Sequence, residues 1–466
     1  MRDLTEGSIA RHLLGMAVFI AMGLGFQAAY SLIDLYFVAR LGPDAVAGVG
    51  AALNFSMLVM GGSQLIGVGA VALIAQAAGR RDGADANLVF NQAVGAALAA
   101  SLATLVLGYL LGGAALGGIA ADARSADLGR TYLDWFLPAL ACMFPSMALG
   151  SALRATGVVR PVMVLQSASV LLNAVLAPVL IAGWGSGFPL GVAGAGLAST
   201  IATSLGLAGT VVLLPRAQRL VRLDRGVLRP KFGVWRRLVV IGLPAAGEMF
   251  MMFVILGVVY RVIRVFGPDA QAGFAIGGRI MQAIFLPAMA VAFAAAPVAG
   301  QNFGARAFDR VRETFRHAAL IGVAIMLGLT ALCQVRPDLL VAPFSHDPAV
   351  VAQAVGYLHI MSWNFIGSGL VFACSGMFQG LGDTTPAFIS SASRVVTFVL
   401  PAFWLAGLPG ARLEWIWHLS VASVALQAAT SLVLLRGVFR RRLGVEGRPG
   451  ALPLDPAKDK SLEPIH

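Results

Sequence analysis

The chain has 466 residues, 58% of them hydrophobic and only 12% charged, with 34 Lys and Arg against 22 Asp and Glu. Soluble domains carry about 25% charged residues, so a mean hydropathy of +0.82 excludes a water-soluble globular protein. The net charge of +12 is spread along short loops with no soluble basic domain, which excludes nucleic-acid binding.

Taken in chain order, twelve apolar spans begin near Ile9, Ala47, Leu88, Leu128, Val162, Val192, Trp235, Ala270, Ala307, Val350, Ala387 and Trp415. Each runs about 20 residues, enough to cross a hydrocarbon core of about 30 Å. The runs are continuously apolar and lack strand alternation, so they predict helices and not a barrel. The first has no small-residue cleavage site and carries Asp34 in its outer half, and it reads as a retained span. The expected organisation is an all-α membrane protein of two six-helix bundles, 1–215 and 238–440. A basic connection over 216–237 joins them, and a tail over 441–466 has, from about Val445, the Pro, Lys and Asp content of a disordered segment.

The two bundles repeat one another at an offset of 225 residues without a gap. Gly42-Pro43-Asp44-Ala45 recurs as Gly267-Pro268-Asp269-Ala270, Gln76 and Gly79 as Gln301 and Gly304, and Gly157 and Pro161 as Gly382 and Pro386. The matched residues are the types that fix turns and helix ends. Two such halves imply a cavity between them and alternating access by rocking of one half on the other.

Orientation follows from the basic residues. The connection holds Arg216, Arg219, Arg222, Arg225, Arg229, Lys231, Arg236 and Arg237 against Asp224 alone. Even-numbered loops carry Arg80 and Arg81, Arg154 and Arg160, then Arg306, Arg310 and Arg312, and the tail has Arg436, Arg440, Arg441 and Arg442. The positive-inside rule places both termini in the cytoplasm, with some attraction of the basic loops to anionic membrane lipid.

An ionisable residue inside a span is a functional hypothesis by default. Asp34 lies eight residues before Gly42, roughly 12 Å inside the outer end of its span. Gln27, Tyr30 and Asp34 share one helix face. A carboxylate there, facing a cavity or a neighbouring helix, is suited to exchange a proton near neutral pH; a structural hydrogen bond is the alternative. Glu248 in span seven and Arg394 in span eleven sit at broadly similar depths. They predict either a structural ion pair or a second protonation site that breaks and remakes that pair. Arg279 in span eight is a further intramembrane cation, with Gln282 one turn away and no acid partner in view. Asn173, Ser199 and Thr200 are weaker polar signals, of the kind that bond across helices for about 1 kcal/mol. Pro138, Pro145, Pro178, Pro287, Pro297 and Pro401 are candidate kinks. Cys142, Cys333 and Cys374 lie in apolar spans with no metal-ligand spacing. A Walker P-loop, a zinc-binding His-Glu-x-x-His and a nucleophile elbow are all absent from the sequence, which disfavours an enzyme and points to ion-driven transport.

The chain resembles the multidrug and toxic compound extrusion (MATE) family over about Ile9 to Phe439. The resemblance is carried by Asp34 before Gly42-Pro43-Asp44-Ala45, Gln76-Ala77-Ala78-Gly79, Asn173-Ala174-Val175-Leu176-Ala177-Pro178, Gly300-Gln301-Asn302-Phe303-Gly304-Ala305 and Gly380-Leu381-Gly382-Asp383-Thr384-Thr385-Pro386. Within the family it is most similar to the prokaryotic DinF-like branch. The resemblance implies an inner-membrane antiporter that expels organic cations and amphipathic compounds against protons or sodium, without cofactor, with a monomer as the expected working unit. It implies that Asp34 holds the coupling cation, with Gln27, Tyr30, Asn173 and Ser199 around it. The chain departs from the family where Ala177 replaces the acid of the usual Asn-x-x-x-Asp-Pro. Met252 and Ser368 stand where some members place carboxylates, with Glu248 one turn early, and Phe19 replaces the first-span proline. A sodium site needs several oxygens, so the lost acid favours proton coupling through Asp34, with Glu248 as a second candidate. Two readings stay open beside it: a lipid-linked oligosaccharide flippase using Arg261, Arg264 and Arg279, and a non-transporting membrane subunit.

Overall fold

The computed structural model describes residues 3–119, 122–185, 187–218, 220–224, 229–344 and 347–444. Arg219 and Arg225 of the basic connection, and the tail from 445, lie outside the described residues. The first half comprises α1 (Ile9–Ala39), α2 (Pro43–Gly79), α3 (Gly83–Ile119), α4 (Ala123–Ala155), α5 (Arg160–Ala182) and α6 (Val192–Ala217). The second comprises α7 (Phe232–Ile263), α8 (Pro268–Gly304), α9 (Phe308–Val335), the one-turn α10 (Pro337–Val341), α11 (Pro348–Met361), α12 (Asn364–Leu381), α13 (Thr385–Ala406) and α14 (Leu413–Leu443). Eleven of these helices are long and apolar enough to cross a membrane alone, and α11 with α12 forms a twelfth span bent by 54°. The twelve expected spans are therefore present. Several begin a few residues earlier than the apolar runs, because Gly42-Pro43 and Gly267-Pro268 start α2 and α8 with proline at the first helical position.

The repeat is visible in backbone detail. Both α2 and α8 have 37 residues and both begin after a glycine in positive-φ geometry, Gly42 at 110° and Gly267 at 95°. Both are followed by an arginine in the left-handed region, Arg81 at 59° and Arg306 at 57°, and these are the only non-glycine residues with positive φ among those described. The turns after α4 and α12 use Gly157 at 76° and Gly382 at 69°. Each pair is separated by the same 225 positions. The glycines and prolines persisted because they set turns that no other residue adopts without strain.

The bend in the tenth span falls at Ser362 and Trp363, not at a proline. Bending a helix frees backbone groups that lipid cannot satisfy. Here the bend keeps its carbonyls bonded from two sides: the Ser362 carbonyl accepts from the Phe365 N–H and from Thr330 Oγ1 of α9, each at 3.0 Å, and the His359 carbonyl accepts from Gln334 Nε2 of α9 at 2.7 Å and from Ser362 Oγ at 3.2 Å. Prolines 138, 145, 178, 287, 297 and 401 all lie inside continuous helices.

In the first half α4 is the central helix, packed by α2, α3 and α6, while α1 lies on α5. Across the molecule α1 packs on α8 and α7 on α2, and α2 packs on α8 near the pseudo-twofold axis. The connection between the halves is held on α3. Asn87 and Asn91 bond the backbone of Arg222, and Gln92 bonds the backbone of Arg229 and Lys231.

The halves are sealed at the end that carries both termini. Gln76 Nε2 of α2 donates to the Gly380 carbonyl of the second half at 3.1 Å, and its repeat mate Gln301 Nε2 donates to the Ala155 carbonyl of the first at 2.7 Å. Gly79 and Gly304 permit the close crossing of α2 and α8, since a methyl group on either would overlap the carbonyl of Gln301 or Gln76. The segment before α1 reaches across the same seam. Leu4 is fully buried, its N–H bonds Gln301 Oε1 at 3.0 Å, and its carbonyl accepts from Asn302 Nδ2 at 3.1 Å.

At the far end the halves part. The face of α2 that meets the second half at Leu65, Gly69 and Gln76 continues through Leu58 and Asn54, which are exposed. On α8 the repeat mates of these two, Ala283 and Arg279, are exposed as well. A crevice between the halves therefore opens at the end opposite the termini.

Candidate functional site

Three helices of the first half bring the sequence-predicted residues together. Tyr30 of α1 shares a hydrogen bond of 2.6 Å with Ser199 Oγ of α6, which also accepts from Asn173 Nδ2 of α5 at 3.4 Å. Asp34 stands one turn beyond Tyr30 and is buried, at 6% exposure. Its Oδ1 has no hydrogen-bond partner, and neither does Asn173 Oδ1. Two buried acceptor oxygens without donors are costly unless a proton or cation joins them. Tyr132 of α4, fully buried and within electrostatic reach of Asp34 and Tyr30, completes the wall. Gln27 is on the same helix but exposed, two turns before Asp34.

A chain that needed this cluster merely to pack would show something like it in both halves. It does not. The positions 225 residues beyond Gln27, Tyr30, Asp34 and Asn173 are Met252, Ile255, Val259 and Phe398. Ile255, Val259 and Phe398 belong to the apolar core of the second half. The same fold therefore packs stably with hydrocarbon at those sites, and the polar set is peculiar to the first half. Comparing repeat mates is the signal in the sequence that separates these residues from the structural polar residues around them.

Ala177 follows Asn173 by one turn of α5 and is fully buried. The missing acid of the Asn-x-x-x-Asp-Pro pattern therefore belongs to an inward-facing position, and the cluster retains a single carboxylate.

In the second half Glu248 of α7 accepts a hydrogen bond from Ser375 Oγ of α12 at 3.0 Å, and Ser375 in turn accepts from Gln379 Nε2 at 3.4 Å. The expected ion pair between Glu248 and Arg394 is not formed. Gly247 packs on Phe388 of α13, and Arg394 lies six residues farther along, about 9 Å toward the far end. The two charges are out of step because the spans do not begin at one depth: Thr384, just before α13, donates through Oγ1 to the carbonyl of Ile241, nine residues into α7. Arg394 instead lies within electrostatic reach of Tyr357, the repeat mate of Tyr132, and its Nε has no hydrogen-bond partner. Arg279 is exposed on the crevice side of α8, apart from both carboxylates.

Arg154, expected in a loop, lies in the last turn of α4 and points into the seam. Its Nη2 donates to Ser151 Oγ at 2.9 Å.

The sequence model of the MatE family matches residues 20–179 and 244–404, more than half of the chain, as two copies shifted by the repeat offset. The chain belongs to the MatE family. Its curated relatives include the multidrug export protein MepA of Staphylococcus saprophyticus, 24% identical over 462 residues and covering 95% of this chain and 96% of that protein. MepA of Staphylococcus aureus strain NCTC 8325 is 24% identical over 436 residues, covering 91% and 93%. Among solved structures, the outward-facing conformation of a multidrug resistance MATE transporter superposes with a TM-score of 0.88 at 20% identity, covering 95% of this chain and 98% of that one. A MOP superfamily transporter from Pyrococcus furiosus superposes with a TM-score of 0.87 at 20% identity over the same shares. This MatE chain is thus a multi-span membrane transporter and not an enzyme. Its two-bundle plan is the one the repeat implied.

Proposed function

We propose that this MatE protein exports organic cations or other amphipathic compounds from the cell in exchange for protons, with Asp34 as the coupling carboxylate. The observation that carries this reading is the asymmetry of the repeat: the buried Asp34 and Asn173 and the partly buried Tyr30 form a polar set whose mates in the second half are Val259, Phe398 and Ile255. A costly arrangement that the fold does not require is best explained by function. The curated relatives named multidrug export proteins support the substrate class and draw the reading away from lipid-linked oligosaccharides.

With the basic loops in the cytoplasm, the sealed end faces inward and the crevice opens to the outside of the cell membrane. Protonation of Asp34 from that side removes the one negative charge of the pocket. Its new O–H then needs an acceptor in the pocket, where Asn173 Oδ1 is without a donor. Loss of the charge weakens the hold on a cationic substrate, which leaves through the crevice. Return to the inward-facing state then carries the proton in. The ligand and the proton shift this equilibrium only by their differential affinity for the two states. Gln27, exposed two turns before Asp34 on α1, is the substrate contact of this reading, and Glu248 with Ser375 offers a second protonatable position in the other half.

Proton rather than sodium coupling rests on Ala177. A sodium ion draws on several oxygen ligands, and here the second carboxylate is replaced by a buried methyl group. Efflux of a fluorescent cationic dye from vesicles tests the reading. Wild type should respond to a pH step without sodium, and Asp34→Asn at equal expression should lose at least nine-tenths of that response, about 1.4 kcal/mol of coupling. Equal responses would sink the assignment of Asp34.

A further inference from the structure

The seam between the halves encloses a cavity of about 20 Å³, lined by Gln64, Gly67, Val68, Val71, Arg154, Phe293, Ala296 and Gln379. Three pairs among these are repeat mates, Val68 with Phe293, Val71 with Ala296 and Arg154 with Gln379. The cavity therefore sits on the pseudo-twofold axis, and the one place where the mates differ in charge is Arg154 opposite Gln379. Among the described residues Arg154 makes no salt bridge; its guanidinium bonds Ser151 Oγ and Met147 Sδ on its own helix. Other charges on the surrounding helices stand elsewhere. Asp44, Asp269 and Arg279 belong to the far-end halves of α2 and α8, as do Arg124, Asp127, Arg130 and Asp134 to that of α4; Arg236 and Arg237 stand in the first turns of α7 and Arg261 in its last, and α12 has none.

On the other side of the cavity, Gln379 is linked to a carboxylate, Glu248. Gln379 gives its N–H to Ser375, which gives its O–H to Glu248 Oε2. An amide that donates in this way leaves its carbonyl oxygen to accept, and the cavity is large enough for one water between that oxygen and the guanidinium. Every bond in such a chain points the same way, from cation to carboxylate, and so each polarises the next.

We propose that Arg154 and Gln379 close a polar relay across the axis that ties Glu248 of the second half to the first half only while this end is sealed, making Arg154 a positioning residue for the sealed state. The inference rests on the alternating-access reading above. Opening this end draws α2 and α4 away from α8 and α12, separates Arg154 from Gln379, and breaks the relay at its middle.

The test reads the seam and not transport. Cys142, Cys333 and Cys374 are replaced by Ala, and Ala72→Cys, buried at the seam near Gly382, is labelled with an impermeant maleimide from the terminal face of oriented vesicles. Arg154→Gln and Gln379→Leu should each raise the labelling rate at least fivefold. The swapped pair R154Q/Q379R, which restores one cation and one amide across the axis, should return it to within twofold of the wild-type rate. Glu248→Gln should raise it too, and Glu248→Gln with Arg154→Gln should label no faster than Arg154→Gln alone. A swap that labels as fast as the single variants, or single effects that multiply in the double variant, would overturn the relay. Wild-type labelling that is unchanged by tetraphenylphosphonium would overturn the alternation itself, and the relay with it; labelling that does change, with multiplying variants, overturns the relay alone.

Discussion

Asp34 and Ala177 together set the chemistry of the first half. One supplies a buried carboxylate whose Oδ1 has no donor, and the other withholds a second carboxylate one turn from Asn173. Restoring the acid should therefore change the coupling ion. Ala177→Asp is expected to make dye efflux at fixed pH respond to sodium by severalfold, where wild type does not, and no sodium response would argue against the oxygen-count explanation. Tyr30→Phe removes the hydroxyl that Ser199 shares and should weaken substrate binding by up to tenfold, about 1.4 kcal/mol, read as a shift in the half-saturating dye concentration. Asp34 was legible in the sequence because a charge in an apolar run is conspicuous. Its union with Asn173 and Ser199 was legible only through family resemblance, since the distances between helices are not written in any one of them. The ion pair between Glu248 and Arg394, one of two readings of those charges, is not formed for a related reason: the sequence does not show the relative level of two helices, and α13 starts beside Ile241, well inside α7. Arg154 was hidden for the opposite reason. It is counted with the loop cations by position, and only the tertiary fold turns it inward.

At the scale of the helix, two devices hold the ends and the bend. Thr330 and Gln334 add hydrogen bonds from α9 to the Ser362 and His359 carbonyls where α11 meets α12. Thr330→Val removes one of the two hydrogen bonds to the Ser362 carbonyl, which keeps the Phe365 N–H, and should lower stability by about 0.5–1.5 kcal/mol, seen as a lower melting temperature in detergent. No loss would mean that the bend does not depend on this bond. Sequence reasoning placed candidate kinks at prolines, yet the break falls at Ser362, where a neighbouring helix supplies replacement bonds. A proline marks where a helix loses a donor, but it does not show whether a partner waits to receive a broken backbone. The segment before α1 is the second device. Leu4 is fully buried and bonded through both its N–H and its carbonyl to the other half. Leu4→Ala should cost about 2–5 kcal/mol of that anchoring and raise labelling of a seam cysteine from the terminal face. An unchanged labelling rate would mean that the segment is a passenger.

Over the whole molecule the argument turns on how two halves built to one plan came to differ. The shared plan was readable from glycines and prolines, because turns tolerate few residues and so resist drift. It predicted two bundles, and the structure adds the reciprocal bonds of Gln76 and Gln301 and the crossing at Gly79 and Gly304 that close one end. The crevice at the other end could not be read from the sequence, because it is a property of how the halves lean and not of either half. The halves differ at three places: a polar set around the buried Asp34 in the first, an apolar core at its mates in the second, and Arg154 at the position whose mate is Gln379.

The most direct test of proton exchange at Asp34 is the release of protons when substrate binds. Purified protein in weakly buffered detergent solution is mixed with excess tetraphenylphosphonium, and the pH change is followed with an indicator dye. The account predicts about one proton released per bound cation in wild type and none in Asp34→Asn, with release unaffected by sodium. Equal release by the two proteins, or release by neither while binding is intact, would contradict it.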